Sequence, residues 1–524
     1  MSNGASTADA HTVGRWLSDR AAADPKRIAI DDRGVLVDYA TLHARAAALA
    51  RRLGGAGYGA GSRIATVSGN SIDHVVAFFA CARSGIAFIP LSWRLTPDEL
   101  AALLRRSNPD LLLIEDEHAA LAGEALRALG AGAPPRAETG VAGVEQQAPE
   151  ARRPRPVRAP RDDDPLLVIY TSGSEAAPKG VVLSHASCFW NNLALSRAMP
   201  MTSDDVVLAM LPQHHVAAWN VQPLLAWWVG ATVVLERSFQ PGRVLQLIQE
   251  RRVTAMMGVP TQYRMLLEAP GFASYDLGSL CRAVVGGATI PPQLAVDWAE
   301  HGISLAQGYG LTEAGPNVLH LAAEELADQP GAVGRPYPSV DTRLVDPDTG
   351  LQLDGPATGE LQVRGPSLFS GYLDDDAATA AAMSDGWLRT GDLLSRDEIG
   401  VHRVVDRLKN IYVSGGENVA PAEVEQALAA HPLVEEAAVV GVPDAVWGER
   451  GYAFVVVRAP LAVDELLSHA RSRLAGYKLP AHVEFVSGLP RSTIEKVARQ
   501  RLAHIARQRL DVAGSRAPKE SSYA

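Results

Sequence analysis

Cysteine is scarce in this chain: Cys81, Cys188 and Cys281 are the only three among 524 residues, and they lie far apart. That spacing excludes a disulfide framework and a cysteine-based zinc site, and we expect three buried thiols. Long apolar runs are also missing. No window reaches the ~18 uninterrupted apolar residues of a membrane-spanning helix, so no membrane partner is expected. The opening MSNGASTADAHTVG has no basic segment leading into an apolar one, which makes the cytoplasm the expected location. A basic surplus is absent too. With 49 Lys and Arg against 59 Asp and Glu the net charge is −10, which disfavours nucleic acid and anionic lipid and suits a small-molecule substrate.

What is present is an alternation of strand and helix patterns over most of the first 325 residues. Arg63 to Val67, Ile86 to Pro90 and Leu111 to Glu115 read as strands, with helices at Ser71 to Ser84 and Thr96 to Ser107 between them. The same grammar returns from Val206 to Gln307, and alternation of this kind implies parallel sheets. Residues 131–165 are rich in Pro, Ala, Arg and Gly without periodicity, and read as an irregular surface connection. From about 325 to 405, short strands separated by Gly, Pro and Asp turns suggest a small antiparallel barrel. From Asp406 a compact α+β unit is expected to run to about 510, followed by a disordered tail over 511–524. The expected fold class is therefore α/β: an N-terminal domain (1–405) of two doubly wound subdomains plus a small β-barrel, and a mobile α+β C-terminal domain.

Between two apolar runs lies Tyr170 to His185, YTSGSEAAPKGVVLSH. Thr171, Ser172, Gly173 and Ser174 offer hydroxyls and approachable N–H groups, and Lys179 adds a point charge, a combination that cradles a polyphosphate. The same Gly, Ser and Pro residues would also make an ordinary turn between two strands. Walker A is excluded because Lys179 precedes Gly180 and Val181 follows; the Rossmann GxGxxG is absent from this loop. GYGLTEAG (Gly308 to Gly315) brings Thr312 and Glu313, and a carboxylate near a triphosphate is the expected holder of Mg²⁺. Alone, Glu313 reads rather as a solvated acid at a helix start. LRTGD places Asp392 at a tight turn, and DRLKNIYVSGGENVAPAEVE follows with Arg407, Gly415 and Gly416.

In this order and spacing, the phosphate loop, GYGLTE, RTGD, DRLKN…GGENV…PAEVE and a late lysine make the chain resemble the adenylate-forming superfamily of acyl-CoA synthetases, luciferases and nonribosomal adenylation domains. GGENVAPAEVE, HPLVEEAAVVGVPD and LAGYKLP are similar to the acyl-CoA ligase branch. The resemblance implies an ATP- and Mg²⁺-dependent ligase that forms an acyl-adenylate from an aromatic or medium aliphatic carboxylic acid and passes it to CoA. It assigns Thr171, Ser172, Gly173, Ser174 and Lys179 to the phosphates, Glu313 to Mg²⁺ and Thr312 to the α-phosphate. Gly287, Ala288, Tyr309 and Gly310 would flank the adenine or the acyl group, and Asp392 and Arg407 would hold the ribose. Lys496 would bridge carboxylate and α-phosphate; Asp406 would be the hinge that brings Gly415 and Gly416 to the thiol channel. His215, Trp219, Asn220, Met257 and Gly286 fall where family acyl pockets lie, and each also fits a core. Family members are often dimers, so a homodimer is expected, although no interface is readable.

Three positions depart from the family pattern. Glu175 and Ala176 replace the usual Thr-Gly, and Glu495 replaces the glycine before the catalytic lysine. These changes keep two alternatives open: an adenylating specialist with a carrier-protein thiol, an amine or nitrite in place of the usual partner, as in ATP-dependent diazotases, and a non-catalytic nucleotide- or acyl-binding relative.

Overall fold

The computed structural model describes residues 11–139, 149–171, 178–415, 417–444, 446–491 and 497–516, the last six as helix backbone only. Two compact units divide the chain: residues 1–342 with 362–389, and 343–361 with 390–524.

The first unit holds two sheets. Nine strands form one in the order Arg335–Pro336, Leu319–Leu321, Leu305–Tyr309, Arg282–Val285, Ala255–Gly258, Val206–Ala209, Thr232–Leu235, Ile28–Asp32 and Val35–Asp38. Its centre is parallel and both margins are antiparallel. Seven strands form the other: Gly371–Tyr372, Lys179–Ser184, Pro165–Thr171, Ala87–Leu91, Arg63–Val67, Leu111–Ile114 and Arg136–Glu138. Leu111–Ile114 and Ala87–Leu91 are buried at every position, which is why they read as continuous apolar runs rather than alternating ones. The helices between them carry their own boundaries. Thr96 and Glu99 form a capping box before Pro97–Ser107, Ser71 caps Ile72–Ser84, and Gly85 at φ +65° ends it.

The described parts of the connection 131–165 are paired with neighbouring segments. Arg136–Glu138 adds a parallel edge strand beside Leu111–Ile114, and the chain after Pro149 is strapped to Ala56–Ala60 by backbone bonds: Ala151 N to Ala56 O (2.7 Å), Arg155 N to Gly57 O (2.8 Å) and Ala60 N to Pro156 O (3.1 Å). Pairing of backbone groups with another segment leaves no trace in apolar periodicity. Cys281 likewise departs from expectation: Cys81 and Cys188 are buried, but Cys281 is exposed just before its strand.

In the second unit, Gln352–Leu353 pairs with Leu344 and Val345, and Asp392 to Arg396 pairs antiparallel with His402–Arg407. The strands expected to form a barrel within the N-terminal domain are thus shared between the two compact units, since the division falls within Ala357–Arg364 and Trp387–Arg396. A five-stranded sheet follows, ordered Glu417–Val419, Tyr412–Ser414, Gly448–Val457 and Val434–Asp444, with His482–Phe485 parallel to Gly448–Val457. One core cluster joins this sheet to Pro421–Ala429 and Val463–Arg471 through Val424, Leu428 and Leu466; a second joins Val440, Tyr452 and Phe454 to Leu502 and Ala506. Those last two belong to helix Arg499–Arg516, which continues past Asp511, where fraying was expected.

Candidate active site

In the nine-stranded sheet, Val206–Ala209 is flanked by the strand that follows it, Thr232–Leu235, on one side and by Ala255–Gly258 on the other. A reversal of this kind opens a crevice beyond the carboxyl ends of the strands. Onto that edge four neighbouring strands deliver the expected pocket residues. His215 follows Val206–Ala209, Met257 lies in Ala255–Gly258, Gly286, Gly287 and Ala288 follow Arg282–Val285, and Tyr309 to Glu313 follow Leu305–Tyr309. Gly287 and Ala288 are exposed, whereas Met257, Tyr309 and His215 are half-buried. Gly286 is packed so closely that a Cβ there would stand 2.5 Å from Met257 Cε. The His215 ring is 4.3 Å from that of His214, whose pKa is held well below the ordinary histidine value by burial and by the neighbouring ring.

Thr171 and Lys179 are register partners at the mouth of the phosphate loop. Ser172, Gly173, Ser174 and Glu175 lie outside the described residues, so the structure places only the two ends of that loop. Lys179 Nζ sits 5.2 Å from the centre of the Tyr372 ring, and the Tyr372 hydroxyl donates to Glu313 Oε1 at 2.9 Å. Tyr372 is brought there by Gly371–Tyr372 pairing with Val181 and Val182. Glu313 rides on the single turn Thr312–Ala314, and its carbonyl accepts from Phe369 N at 2.8 Å. The expected phosphate lysine and metal-holding acid are thereby drawn to one tyrosine from separate sheets.

Two expected pocket residues are corrected. Trp219 is completely buried, stacked on Phe78 with centroids 4.5 Å apart, and its indole N–H donates to Gln213 O at 2.7 Å. Asn220 is buried as well: its Nδ2 donates to Gly315 O at 2.7 Å, while its carbonyl accepts from Asn191 (2.6 Å) and Asn317 (3.3 Å). Both side chains are held in the buried interior. Trp219→Phe is therefore expected to cost about 1–2 kcal/mol, from a lost hydrogen bond and lost volume, with the order of preference among acids unchanged; thermal denaturation and a substrate panel would check the two halves.

The second unit holds the expected ribose pair. Asp392 and Arg407 are register partners, and Arg407 Nε lies 3.0 Å from Asp392 Oδ1. Asp392 is not at a turn, as its Gly-Asp context suggests, but within the continuous strand Trp387–Arg396. Lys409 nearby has its pKa lowered by burial first and by Arg407 second. Asp406 is tightly engaged: Oδ1 accepts from Arg407 N (2.6 Å) and Asn410 Nδ2 (3.0 Å), and Oδ2 accepts from Ala422 N (2.8 Å) in the first turn of Pro421–Ala429. A carboxylate there also faces the positive end of the helix dipole. Gly415 has φ +62°, its N donates to Trp447 O at 2.8 Å, and a Cβ would meet the Trp447 ring at 2.6 Å, so no other residue fits that turn. Gly416, Glu495 and Lys496 lie outside the described residues.

Residues 17–373 match the AMP-binding enzyme family, and residues 423–496 match its C-terminal domain. The chain belongs to the AMP-binding enzymes. Feruloyl-CoA synthase of Amycolatopsis sp. is 39% identical over 488 residues, covering 93% of this chain and 97% of that one. Indoleacetate–CoA ligase of Aromatoleum aromaticum is 34% identical, covering 93% and 96%. Among solved structures, O-succinylbenzoate coenzyme A synthetase of Bacillus subtilis, in complex with ATP and a magnesium ion, superposes with a TM-score of 0.83 at 29% identity, covering 93% and 99%.

Three supporting residues of this AMP-binding enzyme escape the sequence reading. Gln307, buried, donates to Ala288 O (3.2 Å) and Gly308 O (2.8 Å) and accepts from Ile290 N (2.7 Å), bracing the turn that carries Gly287. Asn191 brings the chain after Glu313 into register by accepting from Asn317 N at 3.3 Å. Tyr372, in SGYLDDD, carries only one signal, an aromatic set between a glycine and an acidic turn. Among the described residues no helix is long and apolar enough to cross a membrane.

Proposed function

We infer that this AMP-binding enzyme is an ATP- and Mg²⁺-dependent ligase that joins an aromatic carboxylic acid to the thiol of CoA. In the first step an acid oxygen attacks the α-phosphorus of ATP and pyrophosphate leaves, giving an acyl-adenylate. In the second the CoA sulfur, as thiolate, attacks the acyl carbonyl and AMP leaves.

The observation that carries the reading is the meeting of Lys179 and Glu313 at Tyr372, on the carboxyl edge of the sheets, in a chain that aligns with feruloyl-CoA synthase over 93% of its length. The acid and lysine suit a metal–polyphosphate pair: Oε1 of Glu313 is taken by Tyr372, and Oε2 is a hard oxygen donor of the kind Mg²⁺ prefers. Bound there, Mg²⁺ would neutralise phosphate charge as pyrophosphate departs.

The remaining roles belong to the chain itself. Lys179 draws the phosphates toward the loop mouth, Thr312 donates to the α-phosphate, and Gly287, Ala288, Tyr309 and Gly310 present backbone and ring to the adenine or acyl group. Asp392 and Arg407 hold the ribose, Lys496 stabilises charge on the attacking carboxylate and α-phosphate, and Gly415 and Gly416 serve the thiol. His215 and Met257 bear on the acid.

Incubation with MgATP, CoA and a panel of hydroxycinnamic, arylacetic, benzoic and medium-chain acids, read by pyrophosphate release and product mass, tests this. Thioesters of the aromatic acids are expected. Pyrophosphate release without thioester, or thioesters of aliphatic acids alone, would overturn the acceptor or the acid class respectively.

A further inference from the structure

Tyr372 is held in place far more firmly than an edge-strand residue two residues long requires. Ser370 N donates to Val182 O (2.8 Å) and Leu373 N to Gly180 O (2.7 Å), bracketing the tyrosine along its own strand. Thr379 Oγ1 accepts from Tyr372 N at 2.9 Å. Immediately beyond, Asp374 adopts φ +53°, a conformation that costs energy in a non-glycine residue, and is secured there by a two-pronged ion pair with Arg63 at 2.6 and 2.8 Å. The Phe369 ring packs edge-on against the Tyr372 ring, 5.0 Å between centroids, while Phe369 N holds the Glu313 carbonyl. These contacts hold the short strand that carries Tyr372, whose hydroxyl meets Glu313 and whose ring lies under Lys179.

We infer that Tyr372 is the positioning residue of the phosphate–metal site, its hydroxyl setting the Glu313 carboxylate and its ring setting the Lys179 ammonium. The inference rests on the proposed ATP-dependent function. A hydrogen bond to a charged oxygen orients that carboxylate and selects which of its oxygens meets the cation, as outer partners of metal ligands do elsewhere. An ammonium within ~6 Å of a ring centre is attracted to the ring face without losing its charge, so Lys179 keeps its full pull on phosphate while its position is narrowed. One side chain thus spans the two groups and ties the acid's placement to the lysine's.

The test is binding of Mn²⁺ with a non-hydrolysable ATP analogue to the full chain, followed by electron paramagnetic resonance, which needs no knowledge of the acid. Tyr372→Phe keeps the ring and loses the hydroxyl. It is expected to weaken Mn²⁺ binding in the presence of the analogue about tenfold, the low end for outer partners of metal ligands, while metal-free analogue binding and the thermal midpoint stay near the parent's. In a Glu313→Ala background the same substitution is expected to change Mn²⁺ binding no further, because the hydroxyl acts only through that acid. Tyr372→Leu, which also removes the ring, is expected to weaken the metal-free analogue as well. Parental Mn²⁺ affinity in Tyr372→Phe, or an equal loss in the Glu313→Ala background, would overturn the inference and leave the ligase reading intact. A parent chain that binds neither analogue nor Mn²⁺ would overturn both.

Discussion

Replacing Lys496 by alanine is expected to slow acyl-adenylate formation by about two to three orders of magnitude, the range seen when one preorganised charge aimed at a developing transition state is removed. Two anions must meet in that step, the carboxylate of the acid and the α-phosphate, and a single ammonium between them offsets the repulsion only while they approach. ATP affinity should move by no more than about threefold, since an interaction made in the transition state alone lowers kcat and kcat/KM together. Acid-dependent exchange of labelled pyrophosphate into ATP measures the first quantity, and equilibrium binding of MgATP the second. Equal losses in both would make Lys496 a ground-state phosphate contact. Exchange at the parental rate would remove it from the adenylation step, and would make its neighbour Glu495 the feature to explain.

Gly310→Ala is expected to destabilise the fold by more than about 3 kcal/mol, at or beyond the upper end for overpacking, because the clash is with backbone. The added methyl would overlap the Pro316 carbonyl oxygen, and its next neighbours are Pro316 C at 2.7 Å and Val318 N at 3.4 Å, all backbone. No rotamer change relieves such a clash. The Pro316 segment cannot withdraw either, because Val318 N donates to Tyr309 O at 3.1 Å and Leu319 is the register partner of Tyr309. Gly242, in helix Pro241–Arg251 with open space around its would-be Cβ, is the control: alanine there should be neutral or stabilising. Thermal denaturation of both variants, with soluble yield, checks the contrast. A Gly310→Ala protein as stable as the parent would mean that the backbone after Glu313 has room to move.

Much of this architecture was legible because buried parallel strands and amphipathic helices announce themselves. Arg63–Val67 begins and ends where the sequence pattern places it. Thr96 and Ser71 marked helix starts through capping chemistry that is local in sequence. What stayed hidden was whatever a distant partner creates. Arg136–Glu138 is polar at both ends and becomes a strand only because Leu111–Ile114 offers it a free edge. Trp219 and Asn220 were expected at a pocket because they fall where family acyl pockets lie, yet both side chains are fully buried. Within the candidate site the acid and the lysine that meet Tyr372 were named by motif order. Tyr372 was not, since it acts through Lys179 and Glu313, residues 193 and 59 positions away in the chain.

The match to the AMP-binding C-terminal domain closes at residue 496, but the hydrophobic architecture of that region does not. Leu502 and Ala506, on helix Arg499–Arg516, cover one face of the last sheet together with Leu489, and Arg499 anchors the helix to Glu425 at 2.5 and 2.7 Å. A chain cut where that match stops would leave Val440, Tyr452 and Phe454 facing water, an apolar patch of the sort that drives self-association. The matched segment is thus shorter than the folding module, and the final helix acts as an inbuilt solubility element.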